Sequence, residues 1–276
     1  MSRTLAIACG PVALAVIALA ACDLPPDDPA RDPGPPALLA SFPERDAVDV
    51  PRRLVLRFEL DRQLDPRSVS RNTVALVSGD GAVLLTTRYD IVDSAIEARA
   101  FRGGPLVADV RYRAVVDAIR GASGGELEEP ITIPFRTATD DNALPPDDAP
   151  AAWSEVGPLL AARCGGQGCH GGDRPAMGLR LDTAEGVRET ARGVAAIQTA
   201  GPREGDISLG VLLGRPALAR IEIIGDEGRP EHSYLMLKVT GHEWAHGERM
   251  PRGADPLTRD EQRLLQSWIR AGAPTR

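Results

Sequence analysis

Between Leu38 and Thr137 the chain alternates apolar and polar positions in short runs. Leu54, Leu56, Phe58 and Leu60 fall on one side of an extended chain, and Val55, Arg57 and Glu59 on the other. Period-two alternation of this kind predicts a half-buried strand. Further strands are predicted over Thr73–Val77, Ala82–Tyr89, Ala95–Phe101, Arg111–Ile119 and Ile131–Thr137. Turn residues separate them at Ser78-Gly79-Asp80-Gly81, Gly103-Gly104-Pro105 and Gly121 to Gly125. About seven such strands in roughly 100 residues imply an all-β sandwich.

From Trp153 the period lengthens. Trp153, Val156, Leu159, Leu160 and Arg163 recur at helical spacing, with Pro158 expected in the first turn or at a bend. Asp182 with Glu185 reads as a capping box opening a short helix, and Thr258 with Glu261 as another. Leu264, Leu265, Trp268 and Ile269 then make one apolar stripe, which Gly272 is placed to end. This half is expected to be mostly α, with a loop-rich middle from Gly201 to Pro230. All four phenylalanines lie in the first half and all three tryptophans in the second, a partition that suits two independent cores.

Charge sharpens the boundaries. The chain of 276 residues carries a net −7, which excludes sequence-blind attraction to nucleic acid. The acidity is concentrated in two Pro- and Asp-rich stretches, 23–37 and 138–152, whereas the long segments between and after them are nearly neutral. Repeated proline and like charge make extended spacers. The expected organisation is therefore a signal over 1–21, a tether over 22–37, a sandwich over 38–137, a linker over 138–152 and a helical domain over 153–276. Of the 32 basic residues only Lys238 is lysine, which reflects genome composition.

The first 22 residues place Arg3 before an apolar run from about Leu5 to Ala21, the layout of a secretory signal. The run ends Leu19-Ala20-Ala21-Cys22, which resembles the lipobox of bacterial lipoproteins. That resemblance implies cleavage before Cys22, acylation of Cys22 and anchoring of the exported chain to membrane lipid. An ordinary signal peptide with a chance cysteine, or an uncleaved N-terminal helix, is the alternative. Export places the other cysteines in an oxidising compartment.

The sandwich segment is similar to bacterial Ig-like domains. The matching pieces are Pro43 to Pro51, the strand LRFEL, Leu64-Asp65-Pro66-Arg67-Ser68-Val69 and Pro134-Phe135-Arg136-Thr137. It implies a spacer or adhesion module without catalytic residues.

One constellation carries chemistry, Arg163-Cys164-Gly165-Gly166-Gln167-Gly168-Cys169-His170-Gly171-Gly172. Two thiols followed at once by histidine form the c-type haem attachment pattern, with four residues between the cysteines in place of the usual two. Downstream comes His246-Gly247-Glu248-Arg249-Met250-Pro251-Arg252-Gly253, leading into the last helix. Together these resemble cytochrome-c-like domains of planctomycete and myxobacterial type, in which a stretch like Ser233 to Lys238 also precedes a Met-Pro loop. The resemblance implies one haem c held by Cys164 and Cys169, with His170 and Met250 as axial ligands. It also implies packing of the last helix on the helix before the motif, and one-electron transfer to redox partner proteins. A cavity lined by the cysteine sulfurs and His170 is expected between those helices.

Three alternatives stand beside it. Cys164 and Cys169 could form a disulfide in a haem-free envelope module. His242 or His246 could replace Met250 on the iron. His242-Glu243-Trp244-Ala245-His246 also matches the zinc-peptidase pattern, although Gly241, Gly247 and Pro251 leave little room for the helix that pattern needs. His232 is expected to be solvated. No general base, nucleophile or substrate pocket is legible, so the chain reads as a carrier or structural module, not an enzyme.

Overall fold

The structure, a computed structural model, describes residues 34–140, 149–200 and 218–276. The expected signal, lipidation site and most of the tether lie outside the described residues, as does most of the second acidic stretch. The described residues form one compact unit.

Nine strands occupy the first half: β1 (Leu38–Phe42), β2 (Ala47–Val50), β3 (Leu56–Leu60), β4 (Val74–Ser78), β5 (Gly81–Val83), β6 (Leu85–Asp90), β7 (Ala95–Ala100), β8 (Arg111–Val116) and β9 (Ile131–Thr137). One sheet runs β1-β3-β7-β6 and the other β2-β9-β8-β4-β5. Neighbours are antiparallel except β2, which runs parallel to β9 with Ala47 opposite Phe135. In β3, Leu56, Phe58 and Leu60 are buried while Arg57 and Glu59 are not, as the alternation requires. Phe58 meets Ile96 across the β3–β7 ladder, and the Tyr112 and Phe135 rings stack at 5.8 Å in the other sheet. Each such fully buried side chain contributes roughly 1.5–3 kcal/mol of transfer free energy.

One expected strand divides. Ala82–Tyr89 is two strands in different sheets, β5 pairing with β4 and β6 with β7, with exposed Leu84 at the crossing. Thr73–Val77 lies one residue further on, and Arg111–Ile119 ends at Val116.

In the second half helices span Trp153–Arg163, Ala184–Thr190, Ile197–Ala200, Tyr234–Thr240 and Arg259–Arg270, with a small hairpin of β10 (Ile223–Ile224) and β11 (Glu227–Gly228). Pro158 lies inside the first helix, past its first turn. The Ala184–Thr190 helix is capped by Thr183, whose hydroxyl accepts from Gly186 N at 3.0 Å, and not by the expected Asp182. Asp182 instead accepts from Gly172 N and Arg180. The Thr258–Glu261 capping box forms, and Leu265, Trp268 and Ile269 are buried.

The two halves share an interface where independent cores were expected. Asp93 of the sandwich takes Arg259 Nε at 2.6 Å and Arg263 at 2.9 Å from the last helix, and Arg57 at 2.7 Å from β3. Gln266 donates to Asp90 at 3.0 Å. On the other side Trp244 Nε1 donates to the Ala122 carbonyl, and the Arg67 guanidinium lies 4.6 Å from the Trp244 ring centroid.

Candidate functional site

The cysteine loop begins where the Trp153–Arg163 helix ends. Cys164 N still donates to Leu160 O at 2.8 Å, so the first thiol is delivered by the last helical turn. The chain then loops back, and His170 N donates to Cys164 O at 2.9 Å. Gly171 packs so tightly on Gly165 that a Cβ there would run into the Gly165 carbonyl. Ala176 N donates to Cys169 O at 2.6 Å and Leu181 N to His170 O at 2.7 Å, which fastens the far side of the loop. The glycines thus close the four-residue spacing by backbone contact.

Cys164 is buried, Cys169 is exposed and both are free thiols. Burial pushes the Cys164 thiol up to about 11, with Cys169 and Glu261 adding to the rise and Arg163 opposing it. His170 is half-buried, and its Nδ1 lies 3.2 Å from the Ala176 carbonyl. A carbonyl only accepts, so the ring donates to Ala176, and a further backbone bond at Leu179 also favours the protonated imidazole. Desolvation holds the imidazole below its ordinary value, reinforced by the charges of Arg220 and Lys238.

Met250 sits on a loop that Lys238 organises. Lys238 Nζ donates to His246 O at 2.7 Å and Glu248 O at 2.5 Å, while Met250 N donates to Lys238 O at 2.9 Å. Arg249 adds a bond to Val239 O at 2.9 Å. Lys238 therefore links the two parts of the candidate site: it bonds the Met250 loop and its charge reaches His170. Arg163 makes a second link, donating from the end of the first helix to Asp255 O and Pro256 O beyond Met250. Sequence reasoning passed over Lys238, although the one ammonium in a chain of arginines was a visible signal: a compact cation can serve two carbonyls at once.

The helices flanking the motifs touch. The Trp153 and Trp268 rings lie 6.0 Å apart at 44°, and Ala151 N donates to Ser267 Oγ. The concavity of about 460 Å³ beside Met250 is not the expected one: Glu248 to Ala254 and Pro256 line it, and neither Cys164, Cys169 nor His170 does.

His242 to His246 form turns, not a helix, so the two imidazoles are not stacked one helical turn apart. His242 is buried with both nitrogens engaged. Trp244 N donates to Nδ1 at 3.2 Å, and Nε2 faces Leu64 O at 3.0 Å. Glu243 N donates to Gln63 Oε1, and His246 N to Tyr234 Oη. The segment seats the C-terminal half on the sandwich. Among the described residues no group of three His, Cys, Asp or Glu is gathered for a metal ion. His232, expected to be solvated, is half-buried and held below its ordinary value by that burial and by Arg229. No described helix is long and apolar enough to cross a membrane.

No known family model matches the chain, and no curated protein matches it. Solved structures that resemble it include the N-terminal part of the bacterial S-layer protein SbsC, at 10% identity and TM-score 0.30 over 38% of this chain and 24% of that one. CopC from Methylosinus trichosporium OB3b matches at 12% identity and TM-score 0.31, over 40% of this chain and 99% of that one. PcoC, a methionine rich copper resistance protein from Escherichia coli, matches at 17% and 0.28, over 38% and 99%. The chain thus spans about a quarter of the SbsC fragment. Likenesses of this degree assign it neither a family nor a function.

Proposed function

We propose that the second half is a cytochrome-c-like module that binds one haem c and carries single electrons, held on an Ig-like spacer and tethered to membrane lipid through an acylated Cys22. The observation that carries this reading is the folded loop that brings Cys164, Cys169 and His170 together. The His170 backbone N–H closes on the Cys164 carbonyl at 2.9 Å, and its Nδ1 lies 3.2 Å from the Ala176 carbonyl, which orients the ring beside the two thiols. A backbone carbonyl on the distal nitrogen is how proteins orient a ligating imidazole. Two free thiols flank the same loop, and the wider cysteine spacing is absorbed by glycine contacts.

Bound haem would supply a one-electron couple, and His/Met ligation raises its potential. Cys164 and Cys169 would hold the group, and His170 and Met250 would be the residues that ligate it. Lys238 and Arg163 hold the Met250 loop against the rest of the half. The engaged nitrogens of His242 disfavour it as a substitute ligand. The task is electron transfer to protein partners, not catalysis of a substrate reaction.

The test is purification after export in a host that attaches haem, followed by haem staining of a denaturing gel. The expected band stains and has a sharp Soret absorption, and the Cys164→Ser, Cys169→Ser double variant loses both. A colourless wild-type protein from a host that matures control cytochromes overturns the reading.

A further inference from the structure

The two sheets of the sandwich do not fill the space between them evenly. Along β7 the inward positions are Ile96, Ala98 and half-buried Ala100, so side-chain bulk falls away along the strand. Ile96 faces Phe58 across the ladder, and there the core is filled. Further on, Ala98 faces Leu56 and Ala100 faces Leu85, and no large side chain comes from β7. A cavity of about 170 Å³ opens at this end. Leu54, Leu56, Leu85 and Ala100 line it, with Leu76 from the other sheet and Leu106 from the loop between β7 and β8. The helical half touches the sandwich elsewhere, at Asp90, Asp93, Leu64 and Ala122.

The walls are held apart by hydrogen bonds at the mouth. Leu106 N donates to Arg52 O at 2.8 Å, and Arg52 Nε returns a bond to Leu106 O at 2.8 Å. An Arg53 guanidinium nitrogen donates to Gly103 O at 3.0 Å. Phe101 N donates to Leu84 O at 2.8 Å, which carries the β6–β7 ladder past Ala100. Arg102 and Gly103 take φ of 60° and 65° to turn the chain there, a conformation disfavoured for arginine. Such a frame keeps the leucines from closing on the gap, although protein interiors rarely leave voids larger than a water molecule. Water is a poor occupant. A buried water needs about two to four polar partners, whereas the Gly103 and Leu106 carbonyls are already engaged and the leucines offer none. An apolar cavity of about 150 Å³ with walls of this kind stays dry and takes up benzene.

We propose that this cavity is a binding site for a small uncharged apolar molecule, a single aromatic ring or an alkyl group of similar bulk, seated between Leu56, Leu76 and Leu85. Both sheets supply apolar contact, and the hydrogen-bonded frame sets the size limit. No residue of the cavity takes part in the haem reading, so either can fail alone.

Toluene added to the full chain is the probe, with triisopropylbenzene as an oversized control. The expected result is one saturable toluene per chain and a higher thermal midpoint, with no response to the control. Ala100→Leu fills the cavity with side-chain carbon and should weaken toluene binding at least tenfold. If that variant does not fold, nuclear Overhauser contacts of toluene with the unmodified chain take its place, and they should reach the methyls of Leu56, Leu76 and Leu85. Absence of binding, equal binding by Ala100→Leu, an equal response to the control, or contacts confined to other methyls overturns the proposal.

Discussion

Replacing Asp93 by asparagine tests whether the two halves fold as one body. The Asp93 side chain is 4% exposed and accepts from Arg57, Arg259 and Arg263, two of which come from the last helix. Burial alone would raise this carboxyl, but Arg263 and Arg259 more than offset that and hold it below the usual aspartate range. Removing one partner of a buried ion pair costs about 3–5 kcal/mol. That figure needs discounting, because Arg259 and Arg263 are 60% and 50% exposed and can rehydrate. Arg57 keeps Asp90 and Glu97. A loss of about 2–3 kcal/mol is therefore expected, or roughly 1 M in the urea midpoint for a slope of about 2–3 kcal/mol/M. All three tryptophans lie beyond residue 150, so their fluorescence reports the second half, while hydrogen exchange of the β3 and β7 amides reports the sandwich. Both probes should shift together. The exposed pair of Asp109 with Arg136 provides the control, and Asp109→Asn should change neither. A sandwich transition that moves while the fluorescence stays put would refute the coupling.

Lys238→Met removes two charge-assisted bonds to the Met250 loop, each worth about 1.5–3 kcal/mol; limited proteolysis should cut between His246 and Arg252 faster than in wild type, and equal resistance would count against the clamp. In haem-free protein kept in the cytoplasm, iodoacetamide at pH 8 should label exposed Cys169 well before Cys164, whose thiol near 11 leaves about one part in a thousand as thiolate; equal labelling by mass spectrometry would contradict the burial of Cys164. The folded-state value of His170 lies below its unfolded 6.5, so between the two the unfolded chain binds more protons and stability falls as pH drops through that window. His170→Asn should remove that part of the slope in urea midpoints measured from pH 7.5 to 5, and parallel curves for the two proteins would show that the imidazole is not desolvated.

Much of the local structure was legible because it is set by local rules. Ile131–Thr137 and Trp153–Arg163 have the expected bounds, and the Thr258–Glu261 box forms where a hydroxyl and a carboxylate stand three residues apart. Other features depend on distant contacts that periodicity does not register. Ala82–Tyr89 reads as one alternating run, and only the pairing of its ends with β4 and β7 divides it at Leu84. Asp182 and Thr183 can both cap a helix, and the choice falls to Thr183 because Asp182 is drawn to Gly172 and Arg180. The order Cys164, Cys169, His170 was visible, but the contact of Nδ1 is with a carbonyl six residues on that only the folded loop brings near. His242 seemed open to metal because nothing in its neighbourhood reveals Leu64, 178 positions away.

The most direct measurement is the mass of the proteolytic peptide containing Cys164 to His170, taken from protein exported with haem-attachment machinery. In thioether formation the S–H of each thiol adds across one vinyl C=C of the haem with no atoms lost, so the peptide should weigh its own sequence plus one whole haem. A peptide with two intact thiols, or one lighter by two hydrogens through a disulfide, would mean that this loop does not carry the iron.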